Sequence, residues 1–276
     1  MKIGVSLPVR EMGNDLGAIK AFAQAAEDLG MTHLRVPEQV IRPKSGHLHE
    51  PMMILAYIAG VTSHIELVPS VIILPLRQTA LVAKQAAQLD VLTNGRTRLG
   101  IGVGNSREEF AAMGMDFSTR GRYCDEQMTV LKKLWTESSV TFEGEFHTVP
   151  GIGIDPLPVQ RPIPMWIGSG AHPPRSVIRR IGEQSDGWFV MSSPEEYPDV
   201  KASIDAVART AGRDPGEIGA EAGVALVGPR KAEWQDRVAN WHRIGLSHLC
   251  LRTLGGGLKT DEHIRVLNSV TWDLPA

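Results

Sequence analysis

The chain has 276 residues, a length that suits either two small domains or one large barrel. Apolar residues make up 42% and charged residues 22%, which excludes a disordered or collagen-like chain. Lys and Arg total 29 against 31 Asp and Glu, and no basic run stands out, so a nucleic-acid or anionic-membrane partner is not expected.

The first strand is expected over Lys2–Leu7, stopped by Pro8. Asn14–Gly30 reads as a helix, because Ile19, Phe22, Ala23, Ala26 and Leu29 repeat at helical spacing. His33–Val36 is a second strand and Glu50–Ser63 a second helix. The β-branched run Ile65–Leu74 is a third strand, followed by a helix over Gln78–Leu92 with Asn94-Gly95 as its stop. Arg98–Val103 is a fourth strand, and Arg122–Trp135 an amphipathic helix. An interruption follows. Val140–His147 alternates with period two around Glu143-Gly144, the pattern of a small hairpin, and a proline-rich run spans Pro150–Pro164.

The alternation then resumes. Strands are expected at Met165–Ile167, Gly187–Met191, Ile218–Val227 and His248–Leu251. Helices follow them: one from Pro173-Pro174 through Glu183, then Pro194–Ala211, Lys231–Ile244 and Thr260–Val270. Eight strand–helix units in order predict a (β/α)8 TIM barrel, one domain over residues 1–276, with a small insertion between strands 4 and 5. A doubly wound sheet with a lid is the rival.

No apolar stretch reaches the ~20 residues of a spanning helix. The opening MKIGVSLPV turns polar too soon for a signal peptide, and Cys124 and Cys250 make no disulfide framework, so a cytoplasmic location is expected.

Barrel chemistry sits at the C-terminal strand ends. Those are Pro8-Val9, Glu38-Gln39, Ser70-Val71, Gly102–Asn105, Gly168–Gly170, Gly187-Trp188 and Arg252-Thr253. Gly168-Ser169-Gly170 lies between a strand and a helix start, where backbone N–H groups can cradle a phosphate or where a tight turn simply needs glycine. Gly100, Gly102 and Gly104 alternate on a strand, which thins a wall so that a flat ring can approach. They do not complete G-x-G-x-x-G, because Arg107 stands at the third glycine's place. Glu38 is a candidate catalytic acid, or a partner of Arg35 or Arg42. His47, His49 and Glu50 spell H-x-H-E, which could serve a metal-dependent barrel hydrolase or isomerase; solvated loop histidines, and no metal, are the expectation.

Several stretches resemble the bacterial-luciferase-like flavin and deazaflavin oxidoreductases, most of all their coenzyme-F420-dependent branch. They are AAEDLGMTHLRVPEQV, SVIILPLR, RLGIGVGNSREEFAAMG, VTFEGEFHTVPG, PVQRPIPMWIGSG and GEQSDGW, in that order. The resemblance implies a barrel with an insertion and an F420 cofactor, with FMN as the alternative, over the C-terminal strand ends. It implies a phosphate site at Gly168, Ser169 and Gly170, a non-prolyl cis peptide at Ser70-Val71 beneath the ring, and further cofactor contacts from Gln39, Gly104, Asn105 and Trp188. It also implies a homodimer burying an early helical face, and a small-molecule substrate.

Two positions depart from that pattern. Gln39 stands where the family often has His, and Asn105 where some sugar-oxidising members have Glu. Neither amide exchanges a proton at neutral pH. A non-catalytic cofactor-binding protein therefore stands beside the oxidoreductase as a second class of function.

Overall fold

The computed structural model describes residues 1–41 and 46–270. The eight expected strand–helix units are present. Around the barrel run β1 (Lys2–Ser6), β2 (His33–Val36), β3 (Glu66–Pro69) with β4 (Ile72–Ile73), and β5 (Leu99–Gly102). After a two-stranded hairpin, β6 (Val140–Glu143) and β7 (Thr148–Ile152), come β8 (Met165–Gly168), β9 (Gly187–Val190), β10 (Gly219–Ala225) and β11 (His248–Arg252). Every barrel pairing is parallel, in the order β3-β2-β1-β11-β10-β9-β8-β5-β4.

β3 and β4 are two halves of one barrel strand. The sequence pattern made Ile65–Leu74 continuous; the structure breaks it at Ser70-Val71, whose peptide bond is cis as the resemblance implied. The lower half pairs with β2 and the upper half with β5. A bridge between Leu67 and Thr97 closes the ring beneath the break.

The helices are α1 (Val9–Met12), α2 (Leu16–Asp28), α3 (Pro51–Ala59), α4 (Thr79–Leu92), α5 (Arg107–Ala112), α6 (Arg120–Thr136), α7 (Arg175–Gln184), α8 (Tyr197–Thr210), α9 (Trp234–Arg243) and α10 (Thr260–Val270). Two short ones, α1 and α5, go beyond the sequence pattern. For α5 a signal existed: Ser106-x-x-Glu109 is a capping box, and Ser106 Oγ accepts the Glu109 N–H at 3.2 Å. α3 spends its apolar surplus inside the monomer, burying Met52, Ile54, Leu55 and Ile58, and exposes Met53 at 70%.

The barrel interior is packed by pairing large side chains with glycines on adjacent strands. A Cβ on Gly4 would strike His33, and one on Gly187 or Gly219 would strike Trp166. That interior is charged. Glu221 of β10, fully buried, takes Arg35 Nη1 at 2.9 Å on one oxygen and Arg98 Nη1 at 2.8 Å on the other. His33 Nε2 lies 3.1 Å from Glu221 Oε1, and Arg98 also reaches Glu66 at 2.9 Å while stacking over Trp166. Burial alone would push the Glu221 carboxyl up, but His33, Arg35 and Arg98 together hold it well below the usual carboxylate range. Burial and the nearby Arg98 push the His248 imidazole down to about 3, so it adds no positive charge at neutral pH.

Removing one partner of a buried network strands the others. Glu221→Ala is expected to cost about 3–5 kcal/mol of stability, read from the urea midpoint. The depressed pKa also sets a sign. The carboxylate's contribution is complete above the ordinary value of 4.5 and is lost as pH falls towards the lower folded value. Glu221→Gln should therefore flatten the acid limb of the stability–pH curve; an unchanged limb would place the acid sensitivity elsewhere.

Candidate active site

The C-terminal mouth of the barrel is built around Val71. Its side chain lies where Cβ atoms on Gly102 and Gly168 would come within 2.9 and 2.8 Å of it. Gly100 likewise leaves room for Phe189, at 3.0 Å. The strand glycines thus admit protein side chains into the wall, rather than opening it directly to a ring. Ser70 Oγ accepts Arg35 Nε at 2.9 Å and Nη2 at 2.5 Å, and the Arg35 guanidinium lies 4.6 Å from the Phe189 ring centre. Glu221 therefore anchors Arg35, and Arg35 anchors the segment that carries Val71.

Glu38 is drawn away from solvent. Its side chain is 2% exposed; Oε2 accepts the Ile73 N–H at 2.5 Å, and Oε1 pairs with Arg77. Its partner is thus Arg77 and not Arg35, which is committed to Glu221; Arg42 lies outside the described residues. Burial raises the Glu38 carboxyl above its ordinary value, against the opposing Arg77 charge. Arg77 also reaches Glu50 at 2.8 Å, and Glu50 caps α3 by accepting the Met53 N–H at 2.7 Å.

The loop after β2 carries Gln39, half-buried, and is fixed from across the mouth. Glu109 Oε1 accepts the N–H groups of Val40 and Ile41 at 3.0 and 3.1 Å. Gly104 turns with φ +73° beside Ile73 and Phe110, and Asn105 next to it is exposed.

Gly168-Ser169-Gly170 ends β8. Among the described residues, no acceptor is paired with the N–H groups of Ser169, Gly170 or Ala171, and a Cβ on Gly170 would meet open space. That set of unspent donors fits a phosphate. Pro173 and Pro174 contribute no N–H, so the donors come from the turn more than from the start of α7.

Trp188 does not reach the mouth. Strand parity points Phe189 inward and Trp188 outward, where it stacks on Tyr197 of α8 with centroids 5.9 Å apart. Two of the H-x-H-E residues serve the fold: His49 Nε2 contacts the Gly13 carbonyl at 2.8 Å, and Glu50 is the cap already described. No group of three or more His, Cys, Asp or Glu side chains among the described residues is arranged to hold a metal.

Two cavities open at the mouth, of about 150 and 370 Å³. Ser6, Pro37 and Ser70 line the smaller, and Met191, Ser192 and Arg237 the larger; Arg35 and Arg252 line both. Arg35 was readable in one respect, since His33 and Arg35 alternate on one face of a strand that must be buried. Nothing in the linear pattern joins Arg237 or Ser192 to it.

A family model described as luciferase-like monooxygenase matches residues 1–263. An uncharacterised protein of Mycobacterium tuberculosis is 30% identical over 217 residues, 71% of this chain and 74% of that protein. A Kineococcus radiotolerans protein named F420-dependent glucose-6-phosphate dehydrogenase is 31% identical over 210 residues; the match covers 71% of this chain and 61% of that enzyme. In three dimensions, an F420-dependent secondary alcohol dehydrogenase in complex with an F420-acetone adduct superposes with a TM-score of 0.83. It covers 100% of this chain and 99% of that one at 15% identity, which shows a shared fold.

The tether from Glu109 yields a local prediction. Glu109→Ala should leave the Ser106 cap in place but expose the Val40 and Ile41 amides. Their hydrogen exchange is expected to accelerate by about tenfold or more, the equivalent of one lost charged hydrogen bond. Unchanged protection would show that the loop is held by other contacts.

Proposed function

This chain belongs to the luciferase-like monooxygenase family, and from that membership we propose that it is an oxidoreductase transferring hydride between coenzyme F420 and a small organic substrate. The observation that carries the reading is the mouth itself. Unspent N–H donors at Ser169 and Gly170 follow directly on Gly168, which with Gly102 leaves the gap that Val71 fills. The relatives named as F420-dependent support F420 over FMN. An FMN-dependent monooxygenase of the same family is the second reading.

Bound at this mouth, the deazaflavin supplies a carbon that gives or takes hydride. The residues bind, orient and shield. Ser169 and Gly170 would hold its phosphate through backbone N–H groups. Val71 would support the ring of a bound cofactor, and Ser70 holds the Val71 segment in place through Arg35. Glu38, both oxygens engaged, is a positioning residue for the upper half of the third strand through the Ile73 N–H. Gln39 and Asn105 can offer hydrogen bonds to cofactor or substrate but no proton at neutral pH.

The same family reading gives a homodimer. Leu16, Met53 and Leu81 expose 49%, 70% and 55% of their surface on the successive helices α2, α3 and α4, apolar area that a second copy would cover. Among the described residues no helix is long and apolar enough to cross a membrane.

Titration of the apo-protein with F420 and with FMN, followed by fluorescence quenching, tests the cofactor. Tighter F420 binding is expected; tighter FMN binding moves the assignment to the second reading, and binding of neither overturns both. Gly170→Asp tests the phosphate position. A side chain fits there, so the loss should come from charge repulsion, and the dissociation constant should rise by about tenfold or more. An unchanged constant would put the phosphate elsewhere.

A further inference from the structure

The larger cavity at the mouth gathers four guanidinium groups. Arg35 comes from β2, Arg230 from the turn before α9, Arg237 from α9 and Arg252 from the end of β11. Two of them are neutralised: Arg35 by Glu221 at 2.9 Å and Arg230 by Glu233 at 2.7 Å. Arg237 and Arg252 form no ion pair among the described residues. Burial, with Arg230 and Arg252 close by, depresses the Arg237 guanidinium despite Glu233. The one carboxylate in the wall, Glu195, lies at the exposed rim.

Two donor atoms on the same wall are orphaned. Ser192 is 6% exposed, and its Oγ is buried without a hydrogen-bond partner. Arg252 Nε is likewise buried and unpartnered; it lies over Gly223, 3.0 Å from where a Cβ would stand. Burying donors and like charges without acceptors is costly, and an anion relieves both costs at once. Gly168, Ser169 and Gly170 do not line this cavity, so it is separate from the proposed phosphate site of the cofactor.

We propose that this cavity binds an oxyanion carried by the substrate, a carboxylate, phosphate or sulfonate group, with Arg237, Arg252 and Ser192 as its donors. The assignment to substrate rests on the cofactor occupying the mouth as proposed above. The volume, about 370 Å³, admits such a group together with several attached carbons. Met191, 60% exposed at the rim, offers apolar contact to those carbons.

The probes are inorganic phosphate and sulfate, titrated calorimetrically at low ionic strength into the wild type, Arg237→Gln, Arg237→Lys and Ser192→Ala. Arg237→Gln should weaken phosphate binding by about tenfold or more, Arg237→Lys should restore part of it, and Ser192→Ala should weaken it by a smaller factor. Ser192→Ala removes only one hydroxyl, so it keeps the test intact where an arginine variant folds poorly. A wild type that binds neither ion, or variants that bind as the wild type does, would overturn the site. F420 titration of the same proteins separates the two sources of anion. Unchanged F420 affinity supports the substrate; a parallel loss gives the cavity to an anionic part of the cofactor and overturns the substrate assignment. Phosphate binding by a wild type that takes up neither F420 nor FMN supports the anion site and sinks only the cofactor reading.

Discussion

Glu221 is the point through which the barrel interior is organised. One oxygen faces Arg98 at the N-terminal end of β5, and the other faces Arg35 in the middle of β2. Arg98 reaches back to Glu66, while Arg35 reaches up to Ser70. A continuous line of charged hydrogen bonds therefore runs from the bottom of the barrel to its mouth. Such a line is costly to build, because each group leaves water, and Arg98 Nη2 stays buried without a partner. What it achieves here is position: the segment bearing Val71 is tied to three other strands.

The mouth inherits its shape from that tie. Val71 needs space, which Gly102 and Gly168 give up on neighbouring strands. Phe189 beneath it takes the space of Gly100 and meets the Arg35 guanidinium. Around this centre a second set of carboxylates fixes the loops. Glu38 holds the upper half-strand at Ile73, Glu50 joins the same Arg77, and Glu109 holds the loop after β2. The acidic residues nearest the site are thus committed to backbone N–H groups and arginines. Several donors remain unspent at the mouth: the amides of Ser169 and Gly170, Ser192 Oγ, and the Arg237 and Arg252 guanidiniums. A site left with donors and few free acceptors is built for anionic ligands.

The sequence by itself determined the order of eight strand–helix units, the interruption after the fourth, and the turn at Gly168–Gly170. These are local matters of periodicity and of glycine and proline placement, which a linear pattern records directly. Through the family resemblance it also marked Ser70-Val71, and the bond there is cis. Only the tertiary structure decided which partner each charge takes. Glu38 has Arg35 three residues away, yet pairs with Arg77, because the barrel turns Arg35 inward to Glu221, 186 residues distant. Trp188 and Phe189 are adjacent in sequence, and closure of the sheet alone settles that Phe189 faces the interior and Trp188 the helices. The convergence of Arg35, Arg230, Arg237 and Arg252 on one cavity is equally invisible along the chain. Parallel strands from distant segments become neighbours only when the ring closes, and electrostatic partners are chosen by that proximity rather than by separation in sequence.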